Sequence, residues 1–196
     1  MANLRLSQNR GTEAVGFILD AYSRMKVGCE AMSHLVGLSC EKYIDDKEEL
    51  SESTKAKEIK DDALDAATSL PSFEFRCQSA KILMECSSLL NDSNNMKEKE
   101  QESYCISSAI HVLGSLMAEN DEVAEIWFLL GCAFSMNKNY VASRDYFEQC
   151  LEMLKKVKDD LNVMENESKE IEEQIVEVEK RISELTSTHL NEMDEN

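Results

Sequence analysis

Proline and glycine are scarce in this chain of 196 residues, which has one proline and six glycines. Sheet proteins need tight turns and phosphate-binding loops need glycine, so both shortages argue against sheet-based enzymes and predict an all-α fold. Basic residues are also in the minority, with 21 Lys and Arg against 39 Asp and Glu and a formal net charge of -18. A surface so charged repels phosphate backbones and anionic lipids, so neither nucleic acid nor membrane is an expected partner.

The seven cysteines are widely spaced and form no CxxC pair. They lie in helix-periodic stretches, at Cys29, Cys40, Cys77, Cys86, Cys105, Cys132 and Cys150. This pattern favours reduced, buried thiols over a metal or redox site. No charged leader precedes an apolar run near Met1, and no apolar run is long enough to span a bilayer. The expectation is an intracellular protein of the cytoplasm and nucleus.

Apolar residues recur at spacings of three and four, the periodicity of α-helices. The periodicity and the changes in charge divide the chain into four predicted segments. These are a degenerate N-terminal hairpin with a charged linker (1–66), repeat-like hairpins (72–157), an acidic heptad or capping helix (158–187) and a frayed tail (188–196). The N-terminal hairpin candidate, Ala14 to Leu38, is expected to be interrupted near Gly28. Pro71 followed by Ser72 predicts a helix start.

Further helices are predicted from Gln101 to Ala118, from Glu122 to Met136 and from Tyr140 to Val157. The charged residues from Met96 to Gln101 are expected to lengthen the loop before the first of these helices. Short polar loops between helices of similar length indicate antiparallel hairpins.

The segment from Ala124 to Leu151 resembles a tetratricopeptide repeat, a two-helix unit with a period of about 34 residues. Gly131 and Ser143 are small where the two helices are expected to cross, because helix axes in contact are only about 8 to 10 Å apart. The predicted fold is therefore a tetratricopeptide-like stack of helical hairpins with a long C-terminal capping helix. The positions of the repeat signature are Trp127, Leu130, Gly131, Phe134, Tyr140, Ser143, Phe147 and Cys150.

Apolar residues from Phe147 to Leu185 alternate at spacings of four and three, which is a heptad pattern. The flanking positions from residue 165 onward are mostly acidic, and only Arg181 is basic. A parallel homodimer would place like charges opposite each other, so a cap on the last hairpin is favoured over a coiled coil. A monomer is expected.

No catalytic or metal-binding motif occurs in the sequence, and the three histidines are far apart. His111 is interpreted as a partly buried structural residue. The prediction is a protein that is not an enzyme and has no cofactor and no metal.

Repeat proteins of this class bind extended segments of other proteins in the groove that the first helices line. One subset clamps a carboxylate with basic residues, and the resemblance maps those positions onto Phe128, Cys132 and Met136, so the clamp is absent. With Glu122 and Glu125 nearby, these residues suit an apolar segment edged by basic residues. The alternative is that Phe128 and Met136 pack on the capping helix.

The runs from Met117 to Gly131 and from Tyr146 to Leu151 are similar to the tetratricopeptide proteins that are dedicated assembly chaperones of the fourth large-subunit ribosomal protein. The resemblance covers about Ser72 to Lys156. It implies a chaperone that captures a basic rRNA-binding segment of its client and shields it until assembly into the large subunit. The competing hypothesis is a scaffold subunit that joins a multiprotein complex through the heptad helix.

Overall fold

A computed structural model describes residues 1–8, 10–38, 70–91, 95–160 and 165–194. Every regular element in these ranges is an α-helix, which confirms the all-α prediction. In none of them does a helix have both the length and the apolar character needed to cross a membrane. The helices are α1 (Ala2–Ser7), α2 (Gly11–Leu35), α3 (Phe73–Leu90), α4 (Met96–Glu119), α5 (Ala124–Met136), α6 (Tyr140–Asp160) and α7 (Glu165–Asp194).

The chain divides into two compact units, an N-terminal unit (Met1–Asn120) and a C-terminal unit (Asp121–Asn196). In the N-terminal unit, α4 packs against both α3 and α2, and α1 lies on α2. The side chains of Tyr22, Leu83 and Leu113 are fully buried between these helices.

A buried arginine joins three parts of the N-terminal unit. Arg76, only 2% exposed, donates from Nε to the Pro71 carbonyl at 3.0 Å and from Nη1 to Ser115 Oγ at 2.9 Å. Its Nη2 pairs with the carboxylate of Glu119, at the end of α4. A buried charge is stable only when it is paired and hydrogen-bonded, and Arg76 meets both conditions.

Two sequence predictions about the N-terminal unit are wrong. Helix α2 continues through the buried Gly28, so the segment from Ala14 to Leu38 contains one long helix and not a hairpin. The charged residues after Met96 form the first turns of α4, where Asn95 caps the helix by accepting from the Lys97 N–H at 3.1 Å. Lysine and glutamate favour helix as strongly as many apolar residues do, so these turns form in solvent.

Other predicted boundaries have mixed outcomes. Ser72 caps α3, as predicted, with its Oγ accepting from the Phe75 N–H at 3.4 Å. Glu122, predicted to begin a helix, lies in a turn before α5. The backbone of α7 is helical to Asp194, so the predicted frayed tail is wrong as far as that residue. Cys40 and most of the predicted charged linker lie outside the described residues.

Candidate functional site

The α5–α6 hairpin of the C-terminal unit has its closest approach at two small residues. A Cβ atom placed on Gly131 would lie 2.6 Å from two ring atoms of Phe147, so no larger residue fits there without displacing the ring. Ser143 Oγ donates to the Gly131 carbonyl at 2.7 Å. Both residues therefore lie at a helix crossing, where the repeat pattern places them.

Aromatic side chains fill the space beside this crossing. Tyr146 lies between two of them: its ring is stacked on Phe134, with centroids 5.2 Å apart, and is 5.7 Å from the Trp127 ring. The Phe128 ring is 5.6 Å from that of Phe147. Tyr146 is absent from the predicted signature, although it begins the second of the two runs that resemble the chaperone family.

Helix α7 lies against α6 through its apolar stripe. Ile175, Val178 and Leu185 form one buried cluster with residues of α6. The α6 members of that cluster are Phe147, Cys150 and Leu154.

Two ion pairs flank this contact between α6 and α7. They join Lys155 to Glu179 at 3.1 Å and Lys158 to Glu172 at 2.9 Å. Hydrogen bonding and charge attraction from Lys158 hold the pKa of Glu172 below its ordinary value. Two carboxylates of α7 are thus matched by lysines of α6.

The predicted partner-binding residues occupy different environments. Phe128 and Cys132 are half-buried against the α6–α7 cluster, whereas Glu125 is exposed. Glu122 is exposed in the preceding turn, and Met136 is half-buried at the end of α5. The structure therefore does not gather these five residues into a single open groove.

A cleft of about 430 Å³ opens between α5, α6 and α7. It includes Glu125 and Phe128 but not Cys132 or Met136. Glu125 and Glu177 supply the only charged side chains of its described lining. The full lining is Ala124, Glu125, Phe128, Cys150, Leu154, Gln174, Glu177 and Val178.

Comparison with known proteins finds no matching family model, no matching curated protein and no matching solved structure. The chemistry of the cleft is therefore read from its own side chains. Burial raises the pKa of the Cys150 thiol, which lines the cleft, to about 11, and so the thiol is protonated and poorly nucleophilic near neutral pH. Nor do the described residues bring together three side chains of the types that ligate metals.

The α7 wall of the cleft is the part that sequence reasoning missed. Gln174, Glu177 and Val178 belong to a heptad segment that the sequence presents as a cap or a coiled coil. Their place beside Glu125 and Phe128 depends on how α7 packs against α6, and no local pattern in the sequence reports that packing.

Proposed function

We propose that this protein is a dedicated chaperone that binds a basic segment of a large-subunit ribosomal protein and shields it until assembly. The observation that carries the proposal is the apolar cleft of the C-terminal unit, where Glu125 and Glu177 are the charged residues of the described lining. Apolar surface with a few placed charges is typical of binding sites for extended segments of other proteins.

The charge of the chain supports a cationic client. The C-terminal unit has 19 acidic and 8 basic residues, a net charge of -11, and the N-terminal unit has 20 acidic and 13 basic residues, a net charge of -7. Negative potential of this size attracts lysine- and arginine-rich segments and repels RNA, with which a ribosomal client must later pair. The excess of carboxylates thus favours a partner that is itself an RNA-binding protein.

The hairpin geometry supports the repeat interpretation that accompanies this proposal. The contacts of Gly131 with Phe147 and of Ser143 with the Gly131 carbonyl occur at the positions where a tetratricopeptide unit needs small residues. We therefore propose a tetratricopeptide-like arrangement of hairpins. A client synthesised in the cytoplasm and assembled in the nucleus requires the chaperone in both compartments.

The scaffold hypothesis receives less support from the packing of α7. Its buried residues Ile175, Val178 and Leu185 contact α6 of the same chain. A coiled coil with another protein would have to uncover this stripe, at the cost of the burial it provides. Sedimentation is expected to show a monomer.

The test is affinity capture from cell lysate with mass-spectrometric identification. A tagged copy of the chain is expected to recover a basic large-subunit ribosomal protein at low salt and to release it as salt rises, because the Debye length falls from about 10 Å at 0.1 M to about 3 Å at 1 M. A tagged, unrelated acidic protein of similar net charge controls for nonspecific capture. Equal recovery of ribosomal proteins by both baits would contradict the proposal.

A further inference from the structure

A second cleft, the N-terminal cleft, lies between α1, α2 and α3 in the N-terminal unit. Its volume of about 580 Å³ is within the range typical of ligand pockets, about 300 to 1,000 Å³. Most of its lining is apolar, and the large apolar side chains among the lining residues are those of Met1, Phe17, Ile18, Met25, Phe75 and Ile82. The proposed function leaves this cleft without a role.

Two aromatic rings of the N-terminal cleft are open to solvent. Phe17 of α2 is 40% exposed and Phe75 of α3 is 49% exposed. Single exposed apolar side chains are common, but two exposed rings that line one cleft form a patch of the kind that marks an interaction site. A pocket for a free small molecule encloses most of its ligand, whereas rings that are nearly half open suit a segment of another protein, which covers them from outside.

The charged residues in the described lining of the N-terminal cleft compensate each other. Asp20 and Arg24 are one turn apart on α2, and the Arg24 Nη2 atom lies 2.8 Å from the Asp20 Oδ2 atom. Because these two side chains pair with each other, neither selects a charged partner. The cleft itself therefore offers apolar contacts without a net charge.

The edge of the N-terminal cleft differs in charge from the rest of the chain. The Arg5 guanidinium lies 5.9 Å from the centre of the Phe17 ring, which lines the cleft. Arg5 and Arg10 both pair with the carboxylate of Glu13, so two guanidinium groups share one carboxylate. Residues 1–38 contain four basic and three acidic residues, a net charge of +1, although the whole chain has a net charge of -18. A carboxylate of a partner would complement this edge.

We propose that the N-terminal cleft binds a segment of a partner protein that combines large apolar side chains with an adjacent aspartate or glutamate. The apolar side chains would cover Phe17 and Phe75, and the carboxylate would lie at Arg5. This inference is independent of the proposed function, because the site is in the other unit and selects the opposite charge. The overall charge of -18 opposes such a partner mainly at distances that salt screens, since the Debye length is about 8 Å at 0.15 M.

The experiment measures the binding of three fluorescein-labelled peptides to the full chain by fluorescence anisotropy at 0.15 M salt. The first peptide has two leucines, one helical turn apart, followed by two glutamates. In the second peptide serines replace the leucines, and in the third glutamines replace the glutamates. The first is expected to bind about tenfold more tightly than the second, because the cleft buries its leucines, and about threefold more tightly than the third, because a solvent-exposed ion pair contributes little.

Three variants test the two parts of the site separately. Phe75→Ser is expected to remove the preference for leucine, and Leu89→Ser is its matched control. Both residues belong to α3 and have similar exposed fractions, 49% and 56%, but Leu89 does not line the cleft. Arg5→Gln is expected to remove the preference for glutamate and to keep the preference for leucine. Circular dichroism melting checks that each variant retains the wild-type fold.

Each outcome supports or overturns a stated part of the inference. Equal binding of the leucine and serine peptides to the wild type overturns the site, as does a leucine preference that survives in a folded Phe75→Ser. Equal binding of the glutamate and glutamine peptides, or a glutamate preference that survives in Arg5→Gln, overturns the choice of an acidic partner. Sedimentation of the chain alone as a dimer that Phe75→Ser dissociates would show that a second copy occupies the cleft. A leucine preference lost in Phe75→Ser and kept in Leu89→Ser supports the inference.

Discussion

The two units of this molecule stabilise their cores in different ways. Six of the buried polar side chains in the described residues belong to the N-terminal unit, and one, Ser143, belongs to the C-terminal unit. Those of the N-terminal unit are Ser33, Arg76, Ser79, Ser87, Ser108 and Ser115. The C-terminal unit instead packs aromatic rings around a glycine.

This difference predicts which kind of substitution destabilises each unit. Hydrogen bonds in a core are directional, so removing one partner leaves another buried group unsatisfied. Ring packing depends on volume, so adding atoms where there is no space for them is damaging. Both units nevertheless use the same device where two helices cross, because a Cβ on Gly114 would collide with Ser33 just as one on Gly131 would collide with Phe147.

The largest loss of stability is expected from a substitution that disrupts the ring packing of the C-terminal unit. Gly131→Leu places a branched side chain where even a Cβ lies 2.6 Å from the Phe147 ring, and it is expected to lower the free energy of unfolding by about 3 kcal/mol or more. Urea unfolding followed by circular dichroism measures the change. Gly16→Ala in α2 is the control, because no atom lies within 4 Å of its new Cβ, and it is expected to stabilise by about 0.5 to 1 kcal/mol. An unchanged urea midpoint for Gly131→Leu would refute the crossing.

The next largest loss of stability is expected from a substitution that removes hydrogen bonds from the polar network of the N-terminal unit. Arg76→Met keeps much of the side-chain volume but takes donors from the Pro71 carbonyl and from Ser115 Oγ, so a loss of about 2 kcal/mol is expected in the same assay. Glu119→Gln is the matched control and is expected to cost less than Arg76→Met, because it keeps an acceptor oxygen for Nη2 and that side chain is 49% exposed. Equal losses in the two variants would show that the pairing with Glu119, and not the buried bonds, holds Arg76.

A smaller loss of stability is expected from removing a single hydrogen bond of the N-terminal unit. The hydroxyl of the buried Tyr22 is 3.1 Å from His111 Nδ1, and Tyr22→Phe removes this bond at an expected cost of about 1 kcal/mol near neutral pH. Urea midpoints of the wild type and of Tyr22→Phe are compared across the alkaline pH range.

The same variant has a pH signature. Burial, reinforced by the charge of Glu30, raises the pKa of Tyr22 above the ordinary value of 10.0. Stability from the protonated hydroxyl is therefore full below about pH 10 and is lost as pH rises beyond it. Wild type should lose stability more steeply than Tyr22→Phe above that pH, and parallel slopes would contradict the burial of the hydroxyl.

The smallest effect concerns the exposed ion pairs between α6 and α7. Lys158→Gln is expected to leave the thermal midpoint almost unchanged, since solvent screens pairs of this kind. Its measurable consequence is a rise in the pKa of Glu172 toward the ordinary 4.5, which an NMR titration detects. The depressed pKa contributes stability above about pH 4.5 that is lost as pH falls, and this dependence should weaken in the variant. A Glu172 pKa that does not move would show that Lys158 does not pair with it in solution.

Much of the helical architecture was predictable because its causes are local. Ser72 at the start of α3 follows from N-cap preference. The crossing at Gly131 and Ser143 follows from a repeat pattern with a known spacing. The predicted interruption near Gly28 was wrong. The cost of a glycine within a helix, about 1 kcal/mol, is outweighed there by packing of the neighbouring turns.

The contacts between distant segments were not predictable. The bond of Tyr22 with His111 joins residues 89 positions apart, and no periodicity reports it. The close approach at Gly114 depends on which face of α4 meets Ser33, and the α7 wall of the cleft depends in the same way on helix packing. Of the eight described residues that line the cleft, sequence reasoning therefore named two as partner-binding, the α5 residues Glu125 and Phe128.

The position of Trp127 offers a way to observe one unit at a time. It is the single tryptophan of the chain, its Nε1 donates to the Asp121 carbonyl at 2.7 Å, and both residues belong to the C-terminal unit. Tryptophan emission therefore reports the melting of the C-terminal unit alone, while circular dichroism reports both units. Two transitions recorded on one sample would reveal whether the units unfold together or in sequence.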